Sequence, residues 1–241
     1  MRKLCVALLV LLTMCSFSYG QSIRTSLGIQ PIFVKSTTNF IQGSGTDIHF
    51  NDNLGIDRKS TVWELYGGAS LGSVSVRGYW LLPKSYSGVG NLVKSQYDPA
   101  STSKDEKLLP ATLDRNFRTS RIELGFPLYY QSFILEPMFV NTWVTDSFNI
   151  NADKFKVDKT FTSSNSGLGI AGTWRVNQWS VISSKWFRAA NDDYFDIKYR
   201  GFNSRYFAGA GYTYRTFNIG LQSSSLVTVS SGFTMEAGLT F

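Results

Sequence analysis

Apolar and polar residues alternate with a period of two along most of this chain, and no other feature restricts its fold as much. At the C-terminus Phe233, Met235, Ala237, Leu239 and Phe241 alternate with Thr234, Glu236, Gly238 and Thr240. Successive side chains of a strand point to opposite faces, so this stretch carries one apolar face and one small or polar face. Tyr206, Ala208, Ala210, Tyr212 and Tyr214 oppose Gly209, Gly211, Thr213 and Arg215 in the same way. Further upstream, Leu168, Ile170 and Trp174 oppose Gly169, Ala171 and Arg175, and Ile122 and Leu124 oppose Arg121 and Glu123. The pattern predicts ten strands, roughly 22–35, 60–71, 73–83, 115–127, 132–146, 160–175, 179–189, 200–215, 217–225 and 231–241, with eight or twelve left open if a hairpin is split or merged.

Residues 1–20 stand apart from this pattern. Met1, Arg2 and Lys3 form a positive start, an apolar run follows from Leu4 to Phe17, and Ser18 and Gly20 supply small residues ahead of a cut after Gly20. That is the layout of a secretory signal peptide, and residues 21–241 remain as one domain. An uncleaved anchor helix fits less well because the apolar run is short. A lipid-attachment reading of Cys15 fits less well because Met14 stands where a small residue is expected. Cleavage removes both cysteines, Cys5 and Cys15, together with two cations, so a formal charge of +7 falls to +5. The mature domain then has no disulfide to hold it.

Composition closes other routes. With 17% charged and 15% aromatic residues, the chain is not disordered. A single histidine cannot build a multi-histidine metal centre, and the sequence implies no cofactor and no metal. Asp192, Asp193 and Asp196 lack the spacing of a calcium-binding EF-hand loop. Lysines and arginines are scattered without a basic helix or RNA-binding aromatic motif, which argues against nucleic acid. No apolar run of about 18 residues follows the signal, so a helical membrane bundle is excluded. Mean hydropathy of −0.09 is what two opposed faces, averaged together, would give.

The C-terminal alternation ending in Phe241 resembles the last strand of bacterial outer-membrane β-barrels, small ones of the OmpA, OmpX and OmpW type in the broad sense. The resemblance implies an all-β fold, a closed antiparallel transmembrane barrel in a Gram-negative outer membrane. It also implies that Phe241 and the strand before it act as the signal read by the barrel-assembly machinery. The predicted connections agree: short ones at 71–72, 127–132, 176–179 and 215–216 alternate with longer ones at 36–58, 84–114, 146–159, 189–199 and 224–230. Tyr79, Trp80, Phe126, Tyr129, Tyr130, Trp143, Trp174, Trp179, Trp186, Phe187, Tyr212, Tyr214 and Phe217 fall near predicted strand ends, where membrane–water boundaries favour aromatic rings. A secreted β-sandwich would leave the terminal Phe and the connection lengths unexplained.

The chemistry rests on the inward face. Arg24, Glu64, Arg77, Arg121, Glu123, Glu136, Arg175, Lys185, Arg215 and Glu236 are expected to line the lumen, six cations against four carboxylates. In a narrow barrel such groups must pair, since an unpaired charge there is costly. The leading reading is a structural or binding protein whose lumen is filled by ion pairs. The alternative is a narrow, slightly anion-favouring solute channel. A third reading is an outer-membrane hydrolase of the omptin or lipid A-modifying type, for which Asp47 and His49 show the Asp-x-His spacing seen in omptins, though early in the chain. The segment 84–114 is expected to be a solvated loop open to a surface ligand, and basic residues at loop bases to meet lipopolysaccharide phosphates. The expected function is not enzymatic.

Overall fold

The computed structural model describes residues 24–42, 48–57, 59–93, 108–153, 155–190, 192–203, 205–221 and 224–240. Residues 1–23, and with them the expected signal segment, lie outside the described residues, as do Asp47 and Phe241. Among the described residues there are twelve strands: β1 (Arg24–Gln42), β2 (Ile48–His49), β3 (Lys59–Leu71), β4 (Val74–Leu92), β5 (Leu109–Gly125), β6 (Leu128–Tyr130), β7 (Phe133–Ala152), β8 (Phe155–Asn177), β9 (Ser180–Ala189), β10 (Asp192–Asn203), β11 (Tyr206–Leu221) and β12 (Ser224–Thr240). Ten are long and pair antiparallel with their chain neighbours. Two are short: β2 lies on the end of β1, and β6 continues the ladder along β7. The first and last strands pair with each other, Leu27 opposite Leu239 and Ile29 opposite Ala237, so the sheet closes on itself. Closure leaves no open edge in hydrocarbon, where an unpaired backbone group has no water to turn to.

The two faces are reversed relative to a soluble protein. Leu27, Leu65, Trp80, Leu124, Phe139, Leu168, Ile170, Ile197, Phe233 and Met235 face outward and are exposed, while Gln30, Glu64, Arg121, Glu123, Glu136, Asp196, Lys198 and Glu236 are buried inside. Tyr129, Tyr130, Trp174, Trp179 and Tyr206 stand exposed at the short-turn end, with Trp63, Trp186, Phe195 and Tyr214 farther up the wall. Apolar exterior, aromatic margins and closed ladder together place the chain across a bacterial outer membrane. Tyr79 and Phe187, expected among the margin aromatics, are buried in the interior instead.

Strand number agrees with the alternation, but several bounds do not. The expected strand 200–215 straddles the connection between β10 and β11, and the expected turn at 215–216 lies within β11. The expected loop 189–199 is mostly β10, because Asp192, Tyr194, Asp196 and Lys198 face inward and Phe195, Ile197 and Tyr199 outward. Carboxylates that suggest a loop in a soluble protein suit the inward face of a barrel. Much of 36–58, 84–114, 146–159 and 224–230 is likewise strand. Only two residues separate β7 from β8, β9 from β10 and β11 from β12, so the strict alternation of short and long connections is not present.

Above the aromatic margin the polarity inverts again. Asp114, Asn149, Lys156 and Asp158 face out on β5, β7 and β8, while Leu113, Phe148, Ile150 and Phe161 are buried inside. These strands project beyond the membrane with an ordinary apolar core on their inner side. Ile48, Phe50, Leu54 and Ile56 fold into that core. They get there because β3 pairs with β4 only as far as Glu64 opposite Leu81, leaving the upper edge of β4 without β3. The segment 48–57 runs along that edge, and the Asn91 N–H donates to the Asn53 carbonyl at 2.8 Å. It approaches so closely that a Cβ on Gly88 or on Gly90 would sit 2.0 Å from the Leu54 or the Asn53 carbonyl oxygen. Covering an otherwise exposed strand edge also protects it from pairing with another chain.

Candidate functional site in the barrel interior

Inward residues of the membrane-spanning part come from every side of the ring and meet in two linked networks. Glu123 on β5 is the centre of the first. Lys185 on β9 reaches it at 2.8 Å, the Nε of Arg121 lies 2.8 Å away, and Arg77 on β4 approaches to 3.6 Å. Arg77 also bonds Glu136 on β7, which accepts from Ser75 as well. Lys185 donates to the Tyr79 hydroxyl at 2.7 Å. The Arg121 guanidinium is packed between rings, 4.0 Å from the centre of Tyr79 and 4.5 Å from that of Tyr194. Such stacking offsets part of the cost of burying a cation.

Glu236 on β12 is the centre of the second network. Arg200 on β10 grips it with two bonds of 2.6 and 2.9 Å, and the Tyr66 hydroxyl donates to it at 3.0 Å. Lys198 lies 3.8 Å from Glu236, 3.5 Å from Asp196, and donates to Gln30 at 2.7 Å. Gln30 in turn donates to Glu64, and Tyr194 donates to Asp196 at 2.8 Å. Tyr194 and Tyr79 flank Arg121, so the two networks share a wall of rings. Nearer the mouth lie two bidentate pairs, Arg115 with Asp146 and Arg215 with Asp192. The fork of a guanidinium matches both oxygens of a carboxylate, which is the geometry that best compensates a buried charge.

Eight of the residues singled out from the sequence belong to these interactions: Glu64, Arg77, Arg121, Glu123, Glu136, Lys185, Arg215 and Glu236. Arg24 and Arg175 do not; both are exposed at the short-turn end. The alternation missed Arg115, Asp146, Asp192, Asp196, Lys198 and Arg200. Three of them sat in the expected loop 189–199 and the others at or beside expected strand ends. Carrying the period of two through the charged residues would have found them. The networked groups are therefore Arg77, Arg115, Arg121, Lys185, Lys198, Arg200 and Arg215 against Glu64, Glu123, Glu136, Asp146, Asp192, Asp196 and Glu236. Among the networked groups, which leave out Arg24 and Arg175, the expected excess of cations becomes seven against seven.

A search against known structures returns barrels. The outer membrane protease OmpT of Escherichia coli superposes with a TM-score of 0.55 at 8% identity, covering 90% of this chain and 97% of that one. The chain has the fold of the bacterial outer-membrane β-barrels. Ail, the attachment invasion locus protein of Yersinia pestis, matches at 10% identity and TM-score 0.39 over 90% of this chain and 98% of its own. OprG of Pseudomonas aeruginosa matches at 10% and 0.38 over 91% and 95%. No family model and no curated protein matches the sequence. At these identities the likeness concerns the barrel itself and not its chemistry. Within this barrel His49 sits half-buried on β2, and its backbone N–H donates to the Asn53 side chain at 2.8 Å.

Proposed function

We propose that this protein is a closed, non-catalytic outer-membrane barrel, a rigid membrane anchor for the wall that β4, β5, β7 and β8 raise above the bilayer. The observation that carries this reading is obstruction at two successive levels. Inside the membrane-spanning part, ion pairs join β9 to β5 and β10 to β12, and Lys185 on β9 also donates to Tyr79 on β4. Above them Phe50, Leu54 and Ile56 turn inward and pack into an apolar core against β4, β5, β7 and β8. A solute path would have to break several charge-assisted hydrogen bonds and displace an apolar core. The networked groups are balanced in charge, so the obstructed part of the lumen offers no preference for anions. In this reading lipid and lipopolysaccharide surround the wall, and a surface ligand would meet the raised strands around 84–114.

The test is solute uptake by liposomes containing the refolded protein. Swelling in arabinose at the rate of protein-free liposomes is expected; rapid swelling would overturn the proposal. The hydrolase reading has its own check. Wild-type protein incubated with unstructured peptides should release no fragments, and cleavage that disappears in His49→Ala would contradict the non-catalytic reading.

A further inference from the structure

The networks do not reach the end of the lumen where β1 begins and β12 ends, opposite the long connections 43–58 and 93–108, which makes it the periplasmic end of an outer-membrane barrel. We infer that this end is a vestibule that binds small multivalent anions of the phosphate class. Its inner wall is built from short polar side chains. Ser26, Ser70, Thr173, Ser183 and Thr240 face inward there and are only partly buried, so water reaches them.

By the alternation of their strands, four arginines lie on the inward side at this end, in two tiers. By strand order around the ring, Arg24 on β1 stands opposite Arg175 on β8, and deeper in, Arg77 on β4 stands opposite Arg200 on β10. Arg24 and Arg175 are exposed and make no ion pair among the described residues. Arg77 and Arg200 are held by carboxylates yet remain reachable: their side chains are 30% and 28% exposed, against 8% for Glu136 and 1% for Glu123 and Glu236. Among the described residues the charges most exposed to water at this end are therefore positive. At the turn between β10 and β11, Arg205 adds another exposed cation, and no described carboxylate lies at this rim.

An arginine stays charged at any ordinary pH, so this excess is permanent. Low-dielectric walls around a one-signed cavity concentrate its field on whatever enters. Guanidinium forks on facing walls suit a ligand with oxygens on two sides, as a diphosphate has, better than a monovalent halide. Phe207 lies against Arg200, 4.7 Å from its guanidinium, and restricts where that fork can point. The inference does not depend on whether the lumen conducts.

The experiment is calorimetric titration of the full-length refolded barrel in detergent micelles with inorganic pyrophosphate, with sodium chloride as comparator. Saturable binding is expected, weakening by about tenfold in Arg24→Gln/Arg175→Gln, the loss of two charge-assisted contacts. Each single variant should weaken it by less, and Arg118→Gln, which alters an exposed cation on the outer surface of β5, should leave it unchanged. Among the described residues neither Arg24 nor Arg175 holds a partner, so heat-modifiable migration on a gel should confirm that the variants fold. No saturable binding by the wild type, or binding of equal strength in the double variant, would overturn the inference.

Discussion

Glu123 answers to three cations at once, Lys185, Arg121 and Arg77, and is itself fully buried. Removing its charge would strand them in a place that water does not reach. Breaking one partner out of a buried ion network costs about 3–5 kcal/mol. Glu123→Gln should lower the unfolding free energy by about that amount, measured by urea denaturation in micelles, and Glu123→Gln/Lys185→Met should recover part of the loss. An unchanged stability would mean that the network is less dry than its geometry. Arg121 poses a subtler case. Between Tyr79 and Tyr194 its flat guanidinium stacks on both rings, which an ammonium cannot do, so Arg121→Lys should be destabilising although charge is kept. The face of each of these residues was legible in the sequence, since Arg121 and Glu123 alternate with Ile122 and Leu124. Their partners were not, because pairing across the lumen joins strands far apart in the chain, as Tyr66 and Glu236 are. Asp192, Asp196 and Lys198 were hidden for another reason: a charged run reads as a loop until the lumen is recognised as its destination.

The segment 48–57 shows how one element depends on the absence of side chains in another. Gly88 and Gly90 on β4 leave room for the Leu54 and Asn53 carbonyls, and the Asn91 N–H is bonded to one of them. Gly55 turns the segment at φ 65°, a conformation that suits glycine. Gly90→Val should therefore expel the segment while the ladder persists. Limited proteolysis should then cut within 48–57 many times faster than in the wild type, with heat-modifiable migration retained; equal cleavage rates would count against the tucked position. Leu54→Ala empties part of the core without touching the backbone, and a loss of about 3 kcal/mol is expected from urea unfolding. The sequence marks 36–58 only as an interruption of the alternation. Nothing local to it announces that Phe50, Leu54 and Ile56 turn inward, because the space they fill is made by β3 leaving β4 at Glu64. Likewise β7 and β8 continue well past the membrane margin, where Asn149 and Asp158 resemble loop residues but alternate with buried Phe148 and partly buried Val157 as strand residues do.

As a whole the molecule is two solvents' worth of protein in one closed sheet. In the membrane the apolar side faces out and the charges face in; above it the order reverses on β5, β7 and β8, and the inner side becomes a dry core. Both halves obey the same alternation, which is why strand number and fold class were legible from periodicity while strand ends were not: a residue pattern of period two does not say where lipid stops. The depth of the barrel can be checked through its tryptophans. Trp174 and Trp179 lie by the short turns and Trp63 and Trp186 farther up the wall, so lipids brominated near the headgroup should quench all four more than lipids brominated at the bilayer centre, and the reverse order would misplace the membrane. The most direct test of the central claim, that the interior is closed, is single-channel recording of the refolded protein in a planar bilayer. A silent membrane is expected, with no discrete openings at either polarity. Regular, stepwise conductance from the wild-type protein would contradict it.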